Sequence, residues 1–310
     1  MINGNHQRLA VAGGNLQAVG TSISRITFND VRIGPAPADP AFPGLLQIEY
    51  AEISGGSIWE ATGNAVYAGF TLRQSQISGL TTGMYFWYPV SNVVIENCTF
   101  VGSGSATFLL NNGILSSVSR NLFNLLSGGS FVITNQAAYG GSDSVLQFNT
   151  FAGNVNLVLP PGDTSAKMTA TGNYWGTTDT AIIDGRITDK NDEPNSAGFI
   201  SYLPILTVPD PATPILAVNL AVTTTGSGSV VAAPSGIDCG AICSAGYAFG
   251  TPVELTAAAA DGYRFEGWSG ACSGGTIGCT LVMDGGKSVF ATFAEGLAKR
   301  RRAAWKHALQ

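Results

Sequence analysis

The chain has 310 residues, 40 of them Gly, with 45 % hydrophobic and 11 % charged residues and a net charge of −5. That charged share is less than half the usual ~25 %, and the length allows two domains of ordinary size. Residues 295–310 set Lys299, Arg300, Arg301, Arg302 and Lys306 against Glu295, a net +4, so the rest carries −9, which argues against nucleic acid as a partner of the folded part. No apolar run reaches about eighteen residues, so no membrane span is predicted. Residues 1–22 read as a weakly patterned lead-in or partial coil. Their start, Met1-Ile2-Asn3-Gly4-Asn5-His6, lacks the basic start and apolar core of a secretory signal. The chain is therefore read as a fragment that begins inside a longer solenoid, without a polar end cap.

Residues 23–205 carry a repeat. The anchors Ile33, Ile53, Ile77, Phe100, Phe123, Phe151 and Trp175 are spaced 20, 24, 23, 23, 28 and 24 residues apart. Five residues before them stand Phe28, Ile48, Leu72, Ile95, Val118, Leu146 and Ala170. Short alternating runs at this period, broken by Gly, Asn and Ser, mark a solenoid of stacked strands. One coil cannot bury its apolar face alone, so neighbours must stack. The pattern predicts a right-handed parallel β-helix with all seven anchors in one inward column. Asn121, Asn149 and Asn173 stand two residues before the last three anchors. Asn tolerates the left-handed conformation of a tight corner, and its amide can bond to the next coil. Cys98 holds the equivalent place before Phe100 and reads as a small buried residue, not a nucleophile. Among the intervening loops, Tyr85, Trp87 and Tyr88 are candidates for stacking on sugar rings; packing over the helix flank is the alternative.

Asn173-Tyr174-Trp175-Gly176-Thr177-Thr178-Asp179 leads through Ile182-Ile183-Asp184-Gly185-Arg186-Ile187-Thr188-Asp189 to Asp192-Glu193. This block resembles the terminal coil and C-terminal cap of bacterial right-handed β-helix repeat proteins of the pectate-lyase-like superfamily, a resemblance that covers roughly residues 23–205. It implies a short helix over the open end of the stack. Asp189, Asp192 and Glu193 are weak candidates for binding Ca²⁺, against a solvated, hydrogen-bonded turn; no other cofactor is expected.

That superfamily includes pectate lyases, polygalacturonases and alginate-active enzymes, so a catalytic site must be weighed on residues. Hydrolysis of that type needs paired carboxylates with Gly-His-Gly and Arg-x-Lys segments, and lyase chemistry needs a poised base. The two histidines, His6 and His307, lie outside the coils, and no Arg-x-Lys occurs between residues 20 and 205. Arg73 and Arg120 stand four and three residues before their anchors and so need not converge. Glu49 and Glu52, near Glu60, are predicted to point to opposite faces of one strand. No catalytic residue is assigned. The discriminating observation is whether any three of Arg73, Arg120, Glu49, Glu52, Glu60 and Glu96 meet in one groove.

Residues 206–214 are a Pro-rich linker. Residues 215–294 then alternate as a second β domain, beginning Leu216-x-Val218-x-Leu220-x-Val222 and holding Cys239, Cys243, Cys272 and Cys279. Four clustered cysteines suggest disulfides in an oxidising compartment and allow three connectivities; a zinc site would need C-x3-C and C-x6-C spacing. The order of Gly-Ser-Gly-Ser, Pro-x-Gly-Ile-Asp-Cys, Phe-x-Gly-Trp-Ser-Gly-x-Cys and Lys-Ser-Val-x-Ala-Thr-Phe resembles the divergent bacterial repeat related to the B repeats of internalin. The resemblance implies a small β-grasp-like extracellular spacer with Trp268 as core anchor and Cys239–Cys243 and Cys272–Cys279 as pairs. Residues 295–310 form a basic tail, read as solvated or as a short helix docking on an acidic surface or anionic lipid.

The expectation is an all-β protein with a parallel β-helix and a second small disulfide-containing domain. Its expected role is that of a non-catalytic structural or binding protein, extracellular or on the bacterial cell surface, with polysaccharide binding or adhesion in view. A polysaccharide lyase or glycoside hydrolase is the alternative.

Overall fold

The computed structural model describes residues 1–5, 8–11, 15–35, 44–58, 67–80, 84–86, 93–102, 105–110, 116–126, 129–135, 143–162, 167–196 and 198–296. Two compact units divide between Pro214 and Ile215. The expected basic tail lies outside the described residues from residue 297 onward, as do Glu60, Trp87 and Tyr88.

The first unit is a parallel β-helix. One face is a seven-stranded sheet running from Ile2–Asn3 to Thr150–Ala152, and a second is an eight-stranded sheet from Asn15–Val19 to Ile200–Ser201. The third side consists of three strands from Arg8–Val11 to Ser57–Ile58 and five from Met84–Phe86 to Ile187–Thr188. Each strand pairs with its counterpart one coil away, and every such pairing is parallel. Alternation places one residue in two inside, so the stacked coils share a continuous apolar core.

Ile53, Ile77, Phe100, Phe123 and Phe151 stand in register in one column, and Trp175 meets Phe151 with ring centroids 4.7 Å apart. Phe100 and Phe123 lie nearly parallel at 5.0 Å. Ile33 is the exception. Phe28 pairs with Ile53 and takes the place expected for it, while Ile33 pairs with Leu9 and Ile58 on the third side. Phe28 and Ile33 both point inward but from successive faces, and their five-residue separation imitates the recurring pair of the later coils. The companion column is accordingly headed by Ala18, followed by Ile48, Leu72, Ile95, Val118 and Leu146.

Between the eight- and seven-stranded faces the chain turns a sharp corner. Tyr50, Gln74, Asn97, Arg120 and Phe148 occupy it with φ of 51°, 48°, 54°, 53° and 59°. Their N–H groups donate to Arg73, Glu96, Ser119, Gln147 and Gly172 at 3.1–3.3 Å. The interstrand ladder thus demands the left-handed conformation whatever the side chain, at roughly 1–2 kcal/mol for a non-Gly residue.

Just inside this corner runs the asparagine column, with Asn121, Asn149 and Asn173 fully buried. Asn121 Nδ2 donates to Asn149 Oδ1 at 3.0 Å, and Asn149 Nδ2 to Asn173 Oδ1 at 2.9 Å. The same Oδ1 atoms accept the backbone N–H groups of Asn121 and Asn149 at 2.9 and 2.8 Å. Cys98 N–H donates to Asn121 Oδ1 at 2.9 Å. Upstream, Ser75 Oγ accepts the Ala51 N–H at 3.0 Å, so a hydroxyl substitutes for the amide there. Cys98 is free and buried.

At the far end, helix Thr180–Asp184 is capped by Asp179, whose Oδ1 accepts the Ala181 N–H at 2.9 Å. It turns Ile183 into the core beside Ile187 and Ile200. Residues 204–214 continue along this unit: Leu206 N–H donates to Asn173 O at 3.0 Å and Thr213 Oγ1 to Phe148 O at 2.8 Å.

The second unit has two four-stranded sheets. In one, its first long strand, Ala217–Thr225, and its last, Lys287–Glu295, lie parallel at the centre, as in a β-grasp arrangement, flanked by Ser244–Ala248 and Tyr263–Gly270. The other is antiparallel throughout. Trp268 is buried, packs 5.0 Å from Phe265 and donates its indole N–H to Thr276 O at 2.9 Å. Gly226 has φ of +86°, and a Cβ there would sit 1.8 Å from Phe293 O. Disulfides join Cys239 to Cys243 and Cys272 to Cys279.

Candidate functional site

The charged residues of the coils converge despite their differing offsets. Arg73 Nε lies 3.2 Å from Glu96 Oε2, and Arg73 Nη1 lies 3.8 Å from Glu49 Oε1. Arg120 Nη1 lies 3.8 Å from the other oxygen of Glu96, and its Nε is 3.8 Å from Asp210. Glu49, Arg73 and Glu96 are in register on successive strands of the eight-stranded sheet. Arg120 stands at the corner one residue further on, with its guanidinium 5.0 Å from the centroid of the Phe148 ring. The side chain reaches back from the corner, and this makes up for the differing offset. Glu52 does not share a strand with Glu49: Tyr50 separates them at the corner, and Glu52 is exposed on the seven-stranded face.

This ribbon alternates in sign along the stack, so each guanidinium faces a carboxylate. The side chains are 19–42 % exposed, and each such pair contributes only about 0.2–1 kcal/mol. Chemically the ribbon registers neighbouring coils and ties Asp210 to them. Its cations are already neutralised, and among the described residues no histidine stands beside it to move a proton.

Asp189 is buried, and both its oxygens are engaged by backbone: Oδ1 accepts the Asn191 N–H and Oδ2 the Ile200 N–H, each at 2.8 Å. Asp192 Oδ2 accepts the Asp189 N–H at 3.3 Å, and Glu193 is exposed. The carboxylates of Asp189 and Asp192 build a turn that pins the last strand. Among the described residues no group of three or more His, Cys, Asp or Glu could hold a metal ion.

Tyr85 lies on strand Met84–Phe86, its backbone paired with Leu109. Its stacking partners in the sequence reading, Trp87 and Tyr88, lie outside the described residues. Cys98 offers no nucleophile: burial pushes its thiol up to about 12 from an ordinary 9.0. Among the described residues, no helix is long and apolar enough to cross a membrane.

The Divergent InlB B-repeat domain family matches residues 218–296, nearly all the described residues of the second unit. The match covers that unit alone, and no finding ties the β-helix itself to the pectate-lyase-like superfamily. No curated protein and no solved structure matches the chain.

Proposed function

We propose that the chain is a non-catalytic structural and binding protein of the bacterial exterior, whose β-helix offers its lateral surface to polysaccharide. The observation that carries this reading is the second unit: a surface-repeat match over residues 218–296 whose four cysteines are paired in two short disulfide loops. Such bonds persist in an oxidising compartment. The β-helix supports the reading by what its charged groups do, since Arg73 and Arg120 are spent on Glu49, Glu96 and Asp210. Tyr85, Trp87 and Tyr88 remain the proposed stacking residues, each ring worth about 1 kcal/mol.

The convergence of Arg73, Arg120, Glu49 and Glu96 is the one observation that favours a second reading, polysaccharide cleavage. Incubation with pectate, alginate and other polyuronates in the presence of Ca²⁺ separates the two. The binding reading expects weak retention on the polymer, reduced by Trp87→Ala, with no new reducing ends and no unsaturated product. Turnover abolished by Arg73→Gln or Glu96→Gln establishes the enzyme instead.

A further inference from the structure

On the corner side of the β-helix an open groove of about 380 Å³ is lined by Arg25, Tyr50, Gln74, Gln76, Asn97 and Thr99, among others. Its size is at the lower end for ligand sites, enough for a short saccharide segment. Its lining contains no carboxylate.

Arg25 differs from Arg73 and Arg120. Its Nη1 donates to Gln74 O at 2.9 Å and to Ala51 O at 3.2 Å, two carbonyls on successive coils. These bonds fix the guanidinium without neutralising it. Among the described residues no carboxylate lies within ion-pair distance, and no acceptor partners its Nε or Nη2. A fixed guanidinium with a free edge suits an oxyanion, which it can engage through two parallel bonds.

The surrounding groups come in a repeat. Tyr50, Gln74 and Asn97 are successive corner residues, and Gln76 and Thr99 are paired in register on the adjoining strands. A polar group is therefore offered once per interstrand step, about 4.8 Å, close to the length of a sugar ring in a linear glycan. Amides and hydroxyls at that pitch, with one half-buried tyrosine ring, match hydroxyl-rich repeating units better than an apolar ligand.

We infer that this groove is a binding site for an acidic glycan, with the anionic substituent of one sugar on the free edge of Arg25 and neighbouring sugars along Tyr50, Gln74, Gln76 and Asn97. The inference rests on the polysaccharide-binding reading and assigns it residues other than Tyr85, Trp87 and Tyr88. The shared chemistry is an oxyanion on a sugar chain, either a sulfate ester or a carboxylate.

The test is calorimetric titration of the full chain with a sulfated dextran oligomer, a hyaluronan oligosaccharide and a neutral dextran oligomer. Binding of one or both acidic probes, but not the neutral one, is expected, and the arm that binds identifies the oxyanion. Arg25→Gln should weaken binding about tenfold, the size of one lost charge-assisted contact, with Arg25→Lys recovering part of it. Gln76→Ala, an exposed change, should weaken binding without moving the thermal midpoint. Equal binding of neutral and acidic probes, or acidic binding indifferent to Arg25→Gln and Gln76→Ala, overturns this site while leaving polysaccharide binding standing. Failure of every glycan to bind removes both.

Discussion

Asn149→Ala tests whether the buried amide column holds the coils together. In the native chain Asn149 Oδ1 accepts from the N–H and Nδ2 of Asn121 at 2.9 and 3.0 Å, and its Nδ2 donates to Val118 O at 2.8 Å and Asn173 Oδ1 at 2.9 Å. Truncation removes all four bonds at once. The Asn121 N–H is left unpaired where the residue has no exposure, at a cost of about 1–3 kcal/mol. The Val118 carbonyl and the amide of Asn121 lose partners too, and a small cavity opens, so about 4 kcal/mol is expected in all. Hydrogen exchange followed by mass spectrometry reads this locally: amides of strands Leu122–Asn124 and Thr150–Ala152 should exchange up to about a thousandfold faster. Asn156→Ala is the control, since Asn156 makes only a 3.4 Å surface contact to Asn154, and it should stay within about 0.5 kcal/mol. If the two variants exchange alike, the column is a consequence of the corner and not a cause of its stability.

Three further outcomes are expected. Cys98 should resist alkylation in the native protein at pH 8 and react once the chain is unfolded, counted by intact mass. Because burial raises its folded pKa to about 12, folding favours the neutral thiol. The stability margin over Cys98→Ser is then full below pH 9 and shrinks as pH rises towards 12, measured by urea unfolding. Reduction of the two disulfides should lower the second unit's stability by about 2 kcal/mol for each short loop on loop-entropy grounds; intact-mass counting should find one free thiol before reduction and five after. Gly226→Ala should cost about 3 kcal/mol or more in that unit, since its Cβ would meet the Phe293 carbonyl at a positive φ; calorimetry showing an unshifted transition refutes this.

Periodicity made the stack readable, because a side chain in a coiled sheet meets its equivalent about one coil later. The asparagine stack was readable for the same reason, although the left-handed corner residue is the one before each, Arg120, Phe148 and Gly172. Ile33 was misplaced because periodicity locates a coil but not the face within it, and Phe28 with Ile33 mimics the later pairs across a corner. Arg73 and Arg120 defeated reading by offset: their long side chains reach the same Glu96, one from the strand and one from the corner that ends it. Arg25, Tyr50, Gln74 and Asn97 form no motif, being separate by one coil each, and only stacking brings them to one groove. Asp189 stood as a weak metal candidate against a hydrogen-bonded turn, and composition could not tell that its oxygens already accept two backbone amides.

The central strand pair of the second unit has a mechanical meaning. Ala217–Thr225 and Lys287–Glu295 run parallel and are joined over six residue pairs, from Leu220↔Lys287 to Thr225↔Thr292. They are also the first and last long strands of the unit, so a pull on its two ends slides one along the other. The hydrogen bonds between them then bear load together and must fail as a group, whereas a hairpin pulled open loses its bonds one after another. A domain wired in this way resists extension most strongly along its own chain direction.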